Sequence, residues 1–167
     1  MGTGHQPTPM VLAGKALADI TRFIKGDRYR SRLISKIMFG AYNKRIKNVR
    51  TSNDWLTRDE TVVDEYNAGK LTTFLFTVNG YRGLMNMILY VRKPRNIAKI
   101  PKNLPMLMVS GLDDPVGEYG KGVYRAYNTY HGHIDDIDLR LFEDCRHELC
   151  NELNKEEIYE EIYGWIM

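Results

Sequence analysis

The chain has 167 residues, of which 43% are hydrophobic and 27% charged, a composition that suits one globular domain and excludes a disordered chain. Its net charge of +3 excludes a nucleic-acid binder that works through overall charge alone. No apolar run approaches the ~18 residues of a membrane span, no signal segment is apparent, and two cysteines give no disulfide framework. We therefore expect a cytoplasmic protein without a transmembrane segment.

Charge is distributed unevenly along the chain. Residues 1–50 carry eleven Lys and Arg against two Asp, whereas residues 143–161 are mostly acidic. Solvated helix faces are the usual origin of such asymmetry, and we favour them over a lipid-binding or nucleic-acid-binding patch. A basic membrane-surface binder that uses residues 22–50 is thus the least favoured of the functional interpretations.

After a Gly- and Pro-rich lead over residues 1–9, the first hundred residues favour helices. Apolar spacing predicts helices over residues 11–26, 31–46 and 71–91 and, after a capping box at 57–60, a short helix that ends at Gly69. The apolar stripe of the first helix consists of Leu12, Ala16, Ile20, Phe23 and Ile24. An amphipathic helix of this kind needs a partner surface.

Beyond residue 100 the pattern changes to strands alternating with helices. Residues 106–109 form a short apolar run typical of a strand buried on both faces, and residues 137–142 alternate between apolar and polar. Helices are predicted over residues 120–130 and over 154–165, the latter capped by Asn154. This order predicts an α/β fold, with a helical region over residues 1–100 and a parallel strand-helix-strand-helix region over 101–167.

Two candidate catalytic residues follow the predicted strands. Asp114, next to Asp113, comes directly after the first strand, and His147 follows the second. Taken singly, an Asx turn explains the acidic pair and a surface histidine explains His147. Because the carboxyl ends of adjacent parallel strands share one edge of the sheet, however, the two side chains can meet there. A carboxylate bonded to one imidazole nitrogen leaves the other as a general base, which is two thirds of a nucleophilic triad.

Other groupings are weaker candidates. A solvated turn explains the His and Asp cluster at 131–138 better than a metal site does. Cys145 lies only two residues from His147, which disfavours the facing geometry of a cysteine nucleophile and its base. The spacing between Cys145 and Cys150 is also wider than in most zinc knuckles.

Three segments carry a resemblance to a known family: SGLDDPVGEYGKGV, LRLFEDCRHELCNE and IYEEIYGWI. They resemble the C-terminal part of α/β-hydrolase fold serine hydrolases of the lysophospholipase and monoacylglycerol lipase type, a group often placed with serine aminopeptidases. The resemblance implies that Asp114 is the triad acid and His147 the triad base. It also implies that residues 2–6 are the loop after the sixth strand of that fold and that residues 11–91 form its helical cap. The implied reaction is hydrolysis of a carboxylic ester, such as a lysophospholipid or monoacylglycerol, without metal or organic cofactor.

The nucleophile of that family is missing from its expected pattern. The family places it on a Gly-x-Ser-x-Gly elbow earlier in the chain than the acid and base. The serines here are Ser31, Ser35, Ser52 and Ser110, and none lies in that pattern. We therefore expect the chain alone to be inactive, and a non-catalytic remnant or binding module that retains the cap is the alternative.

A sheet of only two parallel strands has consequences for stability. It leaves an unpaired edge, and helices suited to a wider sheet would expose apolar surface. We therefore expect the isolated chain to be marginally stable, to aggregate, or to need a partner chain that supplies the N-terminal half of the fold. The other expected partner is a lipid or ester substrate, and no nucleic acid is expected.

Overall fold

The computed structural model describes residues 2–167, so Met1, the first residue of the predicted lead, lies outside the described residues. Helices come first along the chain and the strands follow. The elements are α1 (Thr8–Lys25), α2 (Arg32–Phe39), α3 (Glu60–Ala68), α4 (Val78–Val91), α5 (Pro94–Ile97), β1 (Met106–Gly111), α6 (Lys121–His131), β2 (Ile137–Phe142) and α7 (Lys155–Ile166). No helix within residues 2–167 combines the length and the apolar character needed to cross a bilayer.

The two strands pair in parallel, with Met106 opposite Ile137 at one end and Gly111 opposite Phe142 at the other. Helix α6 forms the crossover between them, as parallel strands require. The predicted α/β arrangement of helices followed by two parallel strands with flanking helices is confirmed. The first strand extends two residues beyond the predicted Val109, which brings its end closer to Asp114.

The chain divides into two compact units. The helical unit comprises Gln6–Ala41 and Lys70–Ile100, and therefore contains α1, α2, α4 and α5. The sheet unit comprises the residues up to His5, Tyr42–Gly69 and Pro101–Met167. Residues 42–69 thus belong to the same compact unit as both strands.

The core of the sheet unit lies between β1 and α7. Its buried members are Val109, Cys145, Leu149 and Ile158, with Leu107, Phe142 and Ile162 packed at its margin. Ile158 is fully buried, so the inward face of α7 is fixed by contact with the strand and the loop after β2. This packing holds the carboxyl end of β1 and the segment after β2 in one place.

The helical unit has a smaller core, formed by Ala18, Ile34, Val78 and Tyr81. Helices α1 and α4 approach closely at Gly14, where a Cβ atom would lie 2.8 Å from the Cε atom of Met85. Small residues at the contact allow this approach, because they leave room for the larger side chains of α4.

The apolar stripe predicted for α1 is not its buried side. Val11 and Ala18 are the buried residues of this helix, whereas Leu12, Ile20 and Phe23 are exposed. Apolar residues occur on both sides of α1, so its periodicity fits two faces. Close packing against α4 selected the face with the smaller side chains, and the face with the larger ones remains in solvent.

Two helices are shorter than predicted. Helix α2 begins where expected, with Ser31 accepting a hydrogen bond from the amide of Ile34, but it ends at Phe39 and not at residue 46. Helix α4 begins at Val78 and not at residue 71, because the Thr77 side chain caps it by accepting from the amide of Gly80. In each case a local capping or terminating interaction outweighs the apolar spacing.

Two predicted caps are also wrong. Asp59 caps α3 by accepting from the amides of Thr61 and Val62, whereas the hydroxyl of Thr57 donates to the carbonyl of Asn151. Asn154 stands at the start of α7 without a side-chain capping bond. Both predicted capping side chains are engaged in contacts with residues distant in the sequence or with other side chains.

Candidate active site

Asp114 lies three residues beyond the end of β1, where the loop after β1 runs alongside the loop after β2. The amide of Asp113 donates to the carbonyl of Cys145 at 2.9 Å. Gly111 permits this approach, since a Cβ atom there would lie 2.0 Å from the carbonyl oxygen of Cys145. The two loops therefore meet at the carboxyl edge of the sheet.

The Asp114 carboxylate is fully buried and fully engaged. Its Oδ1 atom accepts from the amide of Val116 at 2.7 Å, which is the Asx-turn contact expected of an aspartate before a proline. Its Oδ2 atom accepts from the hydroxyl of Ser110 at 3.4 Å and faces His147. The Asx turn and the histidine contact thus use different oxygen atoms of one carboxylate.

His147 meets Asp114 directly. The Nδ1 atom of the imidazole lies 3.0 Å from Oδ2 of Asp114, and the side chain of His147 is 27% exposed. An ionised carboxylate only accepts hydrogen bonds, so this contact places the proton of a neutral imidazole on Nδ1. Nε2 then carries a lone pair, which is the arrangement of a general base with its orienting carboxylate.

Aromatic rings and a glycine surround the imidazole. The Trp55 ring lies 5.3 Å from the ring of His147, centroid to centroid, and Tyr42 packs edge-on to Trp55 at 4.9 Å. Gly2, at a φ of +60°, leaves no room for a side chain, because a Cβ atom would lie 2.8 Å from Cε1 of His147. Burial raises the pKa of Tyr42 to about 12, and the negative charge of Asp114 adds to this shift.

A buried carboxylate fixes the loop that carries His147. Glu152 is 1% exposed and accepts from the amide of Arg146 at 2.7 Å. It also accepts from Nε of Arg58 at 3.0 Å. Because charge-assisted hydrogen bonds are the stronger class, this carboxylate holds the backbone next to His147 in position.

Arg146 ties the same loop to residues 51–57. Its guanidinium donates to the carbonyls of Asp54 and Thr57, at 2.6 and 2.9 Å. The amide of Glu148 donates to the carbonyl of Leu56 at 2.7 Å. The residues on both sides of His147 are therefore bonded to the segment that presents Trp55.

The Asp54 side chain organises that segment from within. It accepts from the amides of Arg50 and Thr51, and the Thr51 hydroxyl also donates to it. Burial acts to raise the pKa of Asp54, but the hydrogen bonds from Thr51 and Arg50 outweigh burial and lower it below the usual value. The bonds favour the charged form, so Asp54 acts as an ionised acceptor at the turn.

Cys145 lacks the properties of an activated cysteine nucleophile. Cys145 is fully buried, and burial raises the pKa of its thiol, with the negative charge of Glu152 adding to the effect. Its Sγ atom donates to Oδ1 of Asn154 at 3.4 Å. A thiol with a raised pKa is mostly protonated near neutral pH and is a poor nucleophile.

The histidines and aspartates at 131–138 do not converge. Across residues 2–167, no three His, Cys, Asp or Glu side chains are grouped so as to hold a metal ion. His133 and Ile134 instead donate backbone hydrogen bonds to the carbonyl of Tyr130 at the end of α6. The segment is the turn from α6 into β2.

Sequence reasoning did not identify Trp55 or Glu152 as neighbours of His147. Trp55 is distant in the sequence from His147, and Glu152 is 94 residues from its other partner, Arg58. For Trp55, the one available signal was the resemblance that places residues 11–91 in the helical cap of that family. The pairing of Asp114 with His147, in contrast, followed from the position of each residue after a strand.

Comparisons with known proteins agree with this architecture. The sequence profile of the family described as "Serine aminopeptidase, S33" matches residues 5–154. A thermostable carboxyl esterase from Bacillus coagulans, solved with glycerol, shares 21% identity at a TM-score of 0.87 over 99% of this chain and 54% of its own. A structure described as "Lipase (Open form)" shares 22% identity at a TM-score of 0.81, over 97% of this chain and 53% of its own.

A soluble variant of monoglyceride lipase from Saccharomyces cerevisiae, bound to a substrate analog, shares 16% identity at a TM-score of 0.60. It covers 87% of this chain and 50% of its own. This chain thus spans about half the length of the three structures, whose likeness concerns the fold. A search of curated proteins finds no significant match. Because the profile covers most of its residues, the chain belongs to the serine aminopeptidase S33 family, and it contains the helical cap and two parallel strands of a partial α/β-hydrolase fold.

Proposed function

We infer that the chain carries the acid and the base of a serine hydrolase site that cleaves carboxylic esters, with lysophospholipids or monoacylglycerols as the lipid candidates. The observation that supports this most directly is the 3.0 Å contact between Nδ1 of His147 and Oδ2 of Asp114 at the ends of adjacent parallel strands. Family membership supports a serine hydrolase. The esterase and lipase titles of the similar structures support an ester as the substrate class.

In the proposed reaction, Asp114 orients His147 and stabilises its protonated form. Nε2 takes the proton from a serine hydroxyl as the serine oxygen bonds to the ester carbonyl carbon, and it returns that proton to the leaving alcohol. Water then attacks the acyl-serine, with Nε2 accepting a proton from the water and passing it to the departing serine oxygen. The products are an alcohol and a carboxylic acid.

The serine of this reaction would come from residues outside this sequence. Ser110 is fully buried and donates to the carboxylate of Asp114, so it supports the acid. Ser31 caps α2 in the helical unit. These observations also favour the second candidate function, a non-catalytic module that retains the cap and the geometry of the pair.

The genomic sequence upstream of this chain separates the two candidates. An open reading frame that continues upstream into a Gly-x-Ser-x-Gly elbow supports the hydrolase, whereas a frame that closes without one supports the non-catalytic module. The product of a continuous frame is then assayed with a chromogenic short-chain ester. His147→Ala is expected to lower kcat/KM by at least about a thousandfold, and exposed Ser52→Ala, as the matched control, to leave it unchanged.

The chain by itself provides the complementary assay. We expect no ester turnover above buffer from residues 1–167, because no serine lies in the nucleophile pattern. Turnover that disappears in His147→Ala would contradict this expectation, since it would require a nucleophile within the chain. Turnover that persists in His147→Ala would instead indicate a contaminating esterase.

A further inference from the structure

The hydrogen bond between His147 and Asp114 does not by itself hold the imidazole in place. It joins Nδ1 to Oδ2 at 3.0 Å, but a single hydrogen bond contributes little net stability because water competes for both partners. The side chain of His147 is 27% exposed, so water reaches it, and the ring can turn about its side-chain bonds unless neighbours block it. The orientation of the base therefore depends on what packs against the ring.

Trp55 is the aromatic neighbour of that ring. The centroids of the indole and the imidazole of His147 lie 5.3 Å apart, with 46° between the ring planes. Tilted contacts at this distance are favourable between aromatic rings. The indole also meets the ring of Tyr42 edge-on, at 4.9 Å between centroids. Contact with two rings limits the freedom of the indole to move.

The segment around Trp55 pairs in register with the loop around His147. The residue before Trp55 accepts a hydrogen bond, through its carbonyl, from the guanidinium of the residue before His147, at 2.6 Å. The residue after Trp55 accepts one from the amide of the residue after His147, at 2.7 Å. These four residues are Asp54 and Leu56 on one segment and Arg146 and Glu148 on the other. The backbone thus brings the two rings opposite each other.

Further hydrogen bonds extend this pairing beyond the two rings. The guanidinium of Arg146 also donates to the carbonyl of Thr57 at 2.9 Å, and the Thr57 hydroxyl donates to the carbonyl of Asn151 at 2.8 Å. The Glu152 carboxylate joins both segments, since it accepts from the amide of Arg146 and from Nε of Arg58. Because separation would leave buried polar groups without partners, the two segments resist moving apart.

Core packing does not account for the position of the indole. Asp54, Leu56 and Thr57 are each no more than 5% exposed, whereas Trp55 between them is only half-buried. The buried neighbours anchor the segment, and Trp55 is the residue that they present to His147. Its contact with the imidazole is therefore a consequence of how the segment is held.

We propose that Trp55 is a positioning residue for His147, which keeps the imidazole turned so that Nδ1 faces Asp114, and that Arg146 holds Trp55 in place. The catalytic consequence rests on the proposed function, since only a base oriented by its acid would take the proton of a serine. The orientation itself requires neither serine nor substrate. Residues 42–69, which lie in the region that the resemblance assigned to the cap, thus contribute to the geometry of the base.

Nitrogen NMR of the full chain tests the orientation without a substrate. At about pH 9 an imidazole is ordinarily neutral, and the chemical shifts of its two nitrogens show which one carries the proton. In a chain with histidine labelled by nitrogen-15, we expect the proton of His147 on Nδ1. The spectrum of His147→Gln identifies the His147 signals, because it lacks them.

Trp55→Ala should abolish the preference for Nδ1. The ring is then free to turn away from Asp114, and its nitrogen shifts should approach those of a free imidazole, in which both nitrogens share the proton. Trp55→Phe keeps an aromatic ring and should retain the proton on Nδ1. The matched control is Trp165→Ala, since Trp165 belongs to the same unit but bonds to Asp138, and it should leave the His147 shifts unchanged.

Unchanged nitrogen shifts in Trp55→Ala would overturn the proposal, as would an equal loss in Trp165→Ala. Unchanged helix content by circular dichroism should show that the loss is local. If Trp55→Ala does not fold, Trp55→Leu takes its place, because leucine keeps apolar bulk without a flat ring, and the same loss is expected.

Arg146→Met tests the second part of the proposal. It removes the hydrogen bonds to the carbonyls of Asp54 and Thr57 but leaves the indole of Trp55 in the chain. The nitrogen shifts of His147 should move in the same direction as in Trp55→Ala, by a smaller amount. Shifts identical to those of the original chain would overturn the role assigned to Arg146.

Kinetics separate positioning from contact with substrate. In the product of a continuous upstream frame, Trp55→Ala should lower kcat by about a hundredfold with little change in KM, because a misplaced base slows the chemistry without weakening binding. A raised KM with unchanged kcat would identify Trp55 as a substrate contact and overturn the proposal. Absence of turnover in the original product, together with loss of the Nδ1 proton in Trp55→Ala, would contradict the proposed function and support the positioning role.

Discussion

In the sheet unit, buried charge and apolar packing occupy the same region, whereas in the helical unit they are separated. Asp114 and Glu152 are buried beside the core formed by Val109 and Ile158, and each carboxylate has hydrogen-bond donors around it. The helical unit buries four apolar residues at its core and leaves its cations and much of α1 in solvent.

This difference indicates where geometry is fixed. Buried polar groups tolerate few arrangements, because each donor and acceptor must keep its partner. The sheet unit can therefore hold an imidazole and a carboxylate at a set distance. The helical unit, with exposed charge and apolar surface, is suited to contacts with something outside the chain.

The largest effect is expected at Glu152, where the polar network of the sheet unit is most buried. Glu152→Gln should lower the free energy of unfolding by about 3–5 kcal/mol, because it leaves Arg58 and the amide of Arg146 without their charged partner. Urea denaturation measured by circular dichroism gives the value. Glu161→Gln is the matched control, since Glu161 pairs with Arg140 at the surface, and it should have a much smaller effect. If both variants lowered the free energy of unfolding by similar amounts, burial of the Glu152 carboxylate would not explain its effect.

A slightly smaller effect is expected from the core. Ile158→Ala should cost about 2–5 kcal/mol of unfolding free energy, through lost burial and the cavity it leaves. Ile20→Ala, on the exposed side of α1, should change stability by no more than about 0.5 kcal/mol. A large cost at Ile20 would mean that this side of α1 is covered in solution.

Alkaline pH should weaken the fold through Tyr42. Its pKa is raised from 10.0 to about 12. The contribution of Tyr42 to the free energy of unfolding is therefore fully present below pH 10 and is lost as the pH rises through about 12. The loss expected from Tyr42 is about 2 kcal/mol, and the alkaline loss should be smaller by this amount in Tyr42→Phe. Urea midpoints measured at neutral and alkaline pH give the comparison. Tyr90→Phe, exposed in the helical unit, should keep the alkaline loss of the original chain.

The smallest effect is spectroscopic. In Trp165→Phe, Trp55 is the remaining tryptophan, and its emission should change when His147→Gln is added, because the imidazole ring lies 5.3 Å from the indole, centroid to centroid. Unchanged emission would contradict this ring contact. In Trp55→Phe, which leaves Trp165 bonded to Asp138, the same His147→Gln substitution should leave the emission unchanged.

The sequence predicted the part of the site that depends on local pattern. A short apolar run, an acidic turn and a second alternating run predicted two strands, and the shared edge of a parallel sheet then predicted that Asp114 and His147 meet. Periodicity and turn residues suffice for such features, because they arise from neighbours along the chain.

The supporting residues could not be predicted in this way. Arg58 and Glu152 are separated by 94 residues, and Arg146 and Asp54 by 92. Their contacts depend on how distant segments pack against each other, and no short sequence pattern indicates that packing. The buried side of α1 was missed for a related reason, since a helix that is apolar on both sides gives no local sign of which side α4 will cover.

Any protein in which the loops after the two strands approach as closely as they do here requires glycine at the position of Gly111. A single methyl group at this position would collide with the backbone of the neighbouring loop at 2.0 Å from a carbonyl oxygen. The loops would then have to separate, and the carboxylate and imidazole they carry would separate with them. Glycine at this position is thus a simple criterion for sorting newly sequenced relatives: those with a larger residue at the equivalent of 111 cannot bring the carboxylate and the imidazole together on this backbone.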